Sequence, residues 1–111
     1  MTKAYVPDVG DIVWLSFDPQ AGHEQAGHRP GLVMTPARYN AATSLMIVCP
    51  MTSRIKGNPF EVVVSQDPPS VALADHAKSL DWRARRASLK GKAPEAAVIE
   101  VKVKLKALLG L

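Results

Sequence analysis

The chain has a single cysteine, Cys49, in 111 residues. It can close no intrachain disulfide and build no thiolate metal cluster, so the expectation is a fold held by packing in a reducing compartment, the cytoplasm. No apolar run approaches the roughly 20 residues that span a bilayer. The polar start Met1-Thr2-Lys3 lacks the apolar stretch of a secretion signal, so no membrane association is expected. Also missing are a GxGxxG turn, a P-loop, a paired-histidine zinc motif and a nucleophile elbow. Their absence leaves no sequence signal for dinucleotide, nucleotide-triphosphate, zinc or serine-hydrolase chemistry. Without an internal repeat, low-complexity tract or linker, residues 1–111 read as one domain.

The composition is ordinary for a globular protein, at 47% hydrophobic and 22% charged. The net charge of +4 is unevenly distributed. Residues 1–77 carry five Lys/Arg against seven Asp/Glu, and residues 78–111 carry nine against three. A basic second half points to an anionic partner or to a solvated Lys/Arg face, and charge alone does not separate the two.

Ile12–Phe17 is β-branched and aromatic and reads as a first strand, closed by Asp18-Pro19. From Asp18 to His28 the chain is small and polar, a long connection of the kind that carries function. Leu32-Val33-Met34 forms a second strand, and one or two helical turns fit Ala37–Thr43. Leu45–Cys49 is continuously apolar and therefore central. Phe60–Val64 is a fourth strand, with weaker candidates at Val71–Asp75 and Ala77–Leu80. Short strands between turn signals predict a small antiparallel barrel in a mainly β, α+β chain.

The C-terminus fits two periods. Val101–Lys106 alternates like a half-buried strand, while Val98, Val101, Leu105, Leu108 and Leu109 share one helical stripe. Pro94 in the first turn, Glu95 at the positive end, late lysines and Gly110 as a stop decide for a helix.

Three segments offer chemistry. Gly22-His23-Glu24-Gln25-Ala26-Gly27-His28-Arg29-Pro30 gathers a carboxylate, an imidazole and a guanidinium, with Arg29 stiffened by Pro30, so that Glu24, His28 and Arg29 can converge on one anion. The other reading is a polar surface loop. Thr52 and Ser53, beside the basic Arg54-Ile55-Lys56, suit a phosphate or an ordinary hydroxyl turn. Asp75 through Arg86 sets Trp82 among arginines, which fits either a nucleic-acid groove or a core anchor with solvated arginines. Cys49 reads as a small packed hydrophobe.

These segments, with Tyr5–Asp11, Trp14, Phe17-Asp18-Pro19, Val33–Pro36, Tyr39-Asn40, Lys56-Gly57, Pro59–Val62, Ala72–Asp75 and Lys78–Arg85, strongly resemble the MazF/PemK family of toxin endoribonucleases. The resemblance runs over nearly the whole chain in order and spacing. It implies a homodimer of a small SH3-like, CcdB-like barrel with a short internal helix and a C-terminal helix. The activity it implies is metal- and cofactor-free cleavage of single-stranded RNA at short sequences, with ACA-like triplets favoured, leaving a 2′,3′-cyclic phosphate and a 5′-hydroxyl.

On this resemblance the family's key arginine and threonine fall on Arg29 and Thr52. His28 or Glu24 is chemically better suited to move protons than a guanidinium. Unpaired bases would meet Glu24, Gln25, Ser53, Lys56, Asp75, Lys78 and Arg85. The implied partner is an acidic, MazE-like antitoxin whose disordered tail covers the basic groove and shifts the 18–28 loop. Promoter DNA would be reached only through that antitoxin. Two rivals share the fold. A CcdB-like gyrase poison would need a Trp-containing C-terminus where this chain has Leu108-Leu109-Gly110-Leu111, and a non-catalytic nucleic-acid-binding module would have no use for Arg29 and Thr52 together.

Overall fold

In the computed structural model, which describes residues 4–19 and 21–111, the elements follow one another in this order: β1 (Asp11–Ser16), β2 (His28–Val33), α1 (Ala37–Thr43), β3 (Leu45–Thr52), β4 (Glu61–Gln66), β5 (Pro69–Leu73), a 3-10 turn (Ala74–His76), β6 (Lys78–Asp81), β7 (Ser88–Lys92) and α2 (Glu95–Leu108). The Met1-Thr2-Lys3 start and Gln20 of the long loop lie outside the described residues. All pairings are antiparallel, in the order β4-β5-β3-β2-β1-β7, with β6 alongside β3. The mainly β, α+β expectation holds, as a sheet curled into a half-barrel. No helix among the described residues is long and apolar enough to cross a membrane.

The continuously apolar third strand is indeed central. Leu45–Val48 pairs with β6, Val48–Pro50 with β2, and Met51-Thr52 with β5, so β3 passes from one half of the sheet to the other. Its last five residues are buried. Alternation on β1 splits its side chains between two cores. Val13 and Leu15, with Phe17 beyond the strand, pack with Val33, Met46, Val48, Leu80 and Trp82, whereas Ile12 joins Leu32, Cys49, Met51, Val62 and the Ala97, Val98 and Val101 face of α2. Gly31 sits against the first of these cores. A Cβ there would lie 2.7 Å from Val48 and 2.9 Å from Phe17, so only glycine lets β2 approach this closely. Burial pushes the Cys49 thiol up to about 12, which keeps it protonated and unreactive.

The C-terminal helix forms as capping predicts, although Pro94 stands just before its first residue instead of within its first turn. Gly110 at φ +73 ends it. Its N–H donates to Ala107 and that of Leu111 to Lys106, a Schellman closure. The apolar stripe is buried only at Ala97, Val98 and Val101; Leu108 and Leu109 stay exposed. Trp82 resolves to the core reading: its indole N–H donates to the buried Asn40 carbonyl at 2.8 Å, and the Arg83 guanidinium lies over its ring at 4.4 Å. Two strand expectations shift. The fifth strand begins at Pro69 and gives way to a 3-10 turn at Ala74, and β7 was not expected at all. Ser88–Lys92 buries no side chain, so no hydrophobic period announces it; backbone pairing with β1 makes it a strand.

Candidate active site

Register builds the site. Gly31 lies opposite Pro50 in the β2–β3 ladder, and carrying that register two residues further sets Arg29 across from Thr52 on the same face. The ladder has stopped by then, because Met51 and Thr52 have turned to β5. Arg29 spans the opening: its Nε donates to the Ala26 carbonyl at 2.6 Å, and Nη1 reaches toward the Met51 carbonyl at 3.4 Å. Both residues line one groove of about 830 Å³, together with Gln25, Ser53, Lys56 and Lys90 among others. The Thr52 oxygen accepts the Arg54 N–H at 3.1 Å, which leaves its hydroxyl proton free to donate into the groove.

The 18–28 loop is fastened at both ends. At its root, Phe17 N–H donates to Gly27, Gly27 N–H to the Asp18 carboxylate, and Arg85 Nη1 to the carbonyls of Ser16 and Asp18. At its tip, Lys78 Nζ meets the Glu24 carboxylate at 3.1 Å and Gln25 N–H donates to His76 Nδ1 at 3.3 Å. The hydrogen bond from Lys78, then that from Ala21 N–H, holds the Glu24 carboxyl below the usual range, so at neutral pH it is an ionised, occupied group.

The expected residues therefore divide. Gln25, Ser53 and Lys56 join Arg29 and Thr52 in the groove. Glu24, Asp75 and Lys78 line a smaller neighbouring cleft of about 330 Å³, which shares His23, Gln25 and His76 with the groove. Arg85 lines neither and braces the loop root. The expected convergence of Glu24, His28 and Arg29 does not occur. Adjacent residues on a strand face opposite sides, so Arg29 turns to the groove while His28 lies flat beside Trp14, ring centroids 5.8 Å apart and planes within 4°. No group of three or more His, Cys, Asp or Glu side chains able to hold a metal ion occurs among the described residues.

Two residues carry no sequence signal for the site: Lys90, which lines the groove, and Trp14, whose ring centroid lies 5.4 Å from the Lys90 ammonium. Lys90 belongs to the strand that was not expected, and Trp14 enters the sequence reading as a strand aromatic and a family-like position without a role at the site.

Residues 8–109 match the PemK-like, MazF-like toxins of type II toxin–antitoxin systems. The chain belongs to this family. It is 48% identical over 111 residues to the endoribonuclease toxin MazF of Escherichia coli K12, covering 99% of this chain and all of that protein. Among solved structures it superposes on MazF of Deinococcus radiodurans with a TM-score of 0.92 at 55% identity, covering 97% of this chain and all of that one. It also superposes on a MazE–MazF complex structure from the same organism with a TM-score of 0.86 at 55% identity, covering 97% and 99%. Membership in a family of MazF-like toxins sets aside the gyrase-poison and non-catalytic alternatives.

Proposed function

We propose that this endoribonuclease toxin cleaves single-stranded RNA in the cytoplasm, without a metal ion, by attack of a ribose 2′-hydroxyl on the adjacent phosphorus. The O2′–P bond forms as the P–O5′ bond breaks, the 2′ proton leaves to a base, and a proton reaches O5′. The products are a 2′,3′-cyclic phosphate and a 5′-hydroxyl. The observation that carries this reading is that Arg29 and Thr52 line one open groove.

Two of the five guanidinium N–H groups are directed to carbonyls of the protein, and the remaining three are available to the phosphorane. The free Thr52 proton suits a non-bridging oxygen. His23 and His76, which line the groove, are the imidazoles available for proton transfer. With Nδ1 accepting from Gln25, neutral His76 offers its proton on Nε2. Thr52→Val is expected to lower the cleavage rate by about 10²–10³, the scale of one preorganised donor to a developing oxyanion. Single-turnover kinetics on a labelled oligonucleotide measures it.

The deciding experiment incubates the protein with an unstructured RNA in excess EDTA, beside the same strand carrying 2′-deoxyribose at the cut position. The first strand is cut to a cyclic phosphate and the second survives. Cleavage of both, or of neither, overturns the reading.

A MazE-like antitoxin with an acidic tail is the proposed partner, supported by the likeness to a MazE–MazF complex and by the basic second half of the chain. It would lie along the same groove and would carry any contact with promoter DNA. A second copy of the chain is the proposed occupant of the apolar cleft formed by Met34, Ile47, Leu105, Leu109 and Leu111, where Leu109 is 68% exposed.

A further inference from the structure

We infer that the outer face of β1, beside the groove, is an additional nucleotide subsite: an unpaired base flanking the cut linkage stacks on the Trp14–His28 pair while its phosphate meets Lys90. The inference rests on the RNA-cleaving reading above and names a place where the substrate is held away from the reacting atoms.

Trp14 is the first observation. It lies mid-strand between the fully buried Val13 and Leu15, yet it is 36% exposed and belongs to neither core. A large aromatic in this position contributes little to packing and presents a π face to solvent. Register explains its neighbour. Trp14 is opposite Pro30 and Ser16 is opposite His28, so Trp14 and His28 are diagonal partners on one face. Their near-parallel rings stack, centroids 5.8 Å apart, so His28 backs the indole and fixes its plane.

Lys90 is the second, independent observation. In the β1–β7 ladder Val13 pairs with Leu89 and Ile12 with Gly91, so Lys90 is the extra residue of a bulge. A bulge re-aims one side chain out of the strand's alternation. Here the ammonium comes to 5.4 Å from the Trp14 ring centroid, and the same lysine lines the groove that holds Arg29 and Thr52. Among the described residues Lys90 forms no ion pair, whereas its strand neighbour Lys92 is held by Asp11. The cation therefore links a reacting-phosphate groove to an aromatic platform. Single-stranded nucleic acid is the ligand matching that alternation, since every base has a π face and every linkage a charge. The subsite would add affinity with little sequence preference.

The test uses RNAs with 2′-deoxyribose at the cut position, extended one nucleotide at a time on each side, with binding read by fluorescence anisotropy. In the wild-type protein one extension, on one side only, tightens binding by roughly 10-fold, the scale of a base stacked on an aromatic. Trp14→Leu loses that step and Trp14→Phe keeps most of it. Lys90→Gln, on an exposed strand, lowers the slope of log affinity against log salt by about one. Persistence of the step in Trp14→Leu overturns the inference, as does its absence from wild-type protein that binds the RNA. So does an effect of Trp14→Leu confined to an acidic peptide. Binding does not require cleavage, so a wild-type protein that shows the step but cuts no RNA overturns the proposed activity and leaves the subsite standing.

Discussion

Arg29→Ala will leave a folded protein whose cleavage rate is lower by roughly 10³–10⁵, the range found for an arginine that stabilises charge on a transferring phosphoryl group. In the in-line displacement proposed above, negative charge would gather on the non-bridging oxygens as O2′ closes on phosphorus, and the planar fork of Arg29 stands at the mouth of β2 with N–H groups to spare. If the interaction strengthens toward the phosphorane, as the proposal requires, the loss should fall mainly on kcat and less on KM. Arg29→Lys restores the charge without the fork and should recover little. The same arginine also ties the loop through Ala26 and reaches toward Met51, so a purely architectural role must be separated from a chemical one. Loss of one such hydrogen bond costs about 1 kcal/mol. That lowers the melting temperature by only a few degrees in a domain of this size. Cleavage within tenfold of wild type in Arg29→Ala would remove it from the site, whatever else the toxin does. A collapse of folding in Arg29→Ala but not in Arg29→Lys would make it a structural clamp.

What was legible in the sequence follows a physical division. Elements that bury side chains declare themselves. The unbroken apolar run Leu45–Cys49 lies within the strand shared by both halves of the sheet, and the cap residues around Glu95 and Gly110 delimit a real helix. Elements made by backbone pairing alone do not, and Ser88–Lys92 is the example: a strand whose side chains stay largely in solvent carries no period to read. The site shows the same division. Arg29 and Thr52, singled out by the residues around them, line one groove, and the β2–β3 register carried two residues past Gly31–Pro50 accounts for it. His28 differs from expectation because neighbours along the chain need not be neighbours in space. One step along a strand reverses a side chain's direction, and Trp14 was waiting on the other face. Arg85 shows a third limit, since a basic residue in a basic strip reads as free to meet RNA, whereas two carbonyls of the loop root occupy it.

Asp11→Ala should be strongly destabilising, by about 2–5 kcal/mol. That is a large share of the 5–15 kcal/mol that typically separates folded from unfolded states. Asp11 is only 2% exposed, and its carboxylate accepts from Lys92 Nζ at 2.7 Å, Tyr5 Oη at 2.7 Å and Asp8 N–H at 3.0 Å. It therefore joins the start of β1 to the end of β7 and to the chain entering the sheet. Removing it strands the half-buried Tyr5 hydroxyl and frees the Asp8 amide, while the exposed Lys92 ammonium returns to water. Lys92→Ala should accordingly cost less than Asp11→Ala, and Asp11→Asn, which keeps an acceptor, should fall between them. The pH dependence has a definite sign. Burial alone would raise the Asp11 carboxyl, but the hydrogen bonds from Lys92, Tyr5 and Asp8 outweigh it and hold the group below the ordinary aspartate value of 3.8. A carboxyl lowered by folding stabilises the native state above that unfolded value and loses the contribution as pH falls through the folded one. Chemical denaturation of wild type and Asp11→Asn between pH 7 and pH 2 should therefore show their stabilities converging only below about pH 4. Glu24, Glu61 and Asp81 are also held low and add to the acid limb of both proteins, so the difference between the two curves isolates Asp11. A constant gap down to pH 2 would mean that the Asp11 carboxyl carries no charge-dependent stabilisation and that its neighbours act on it through packing alone.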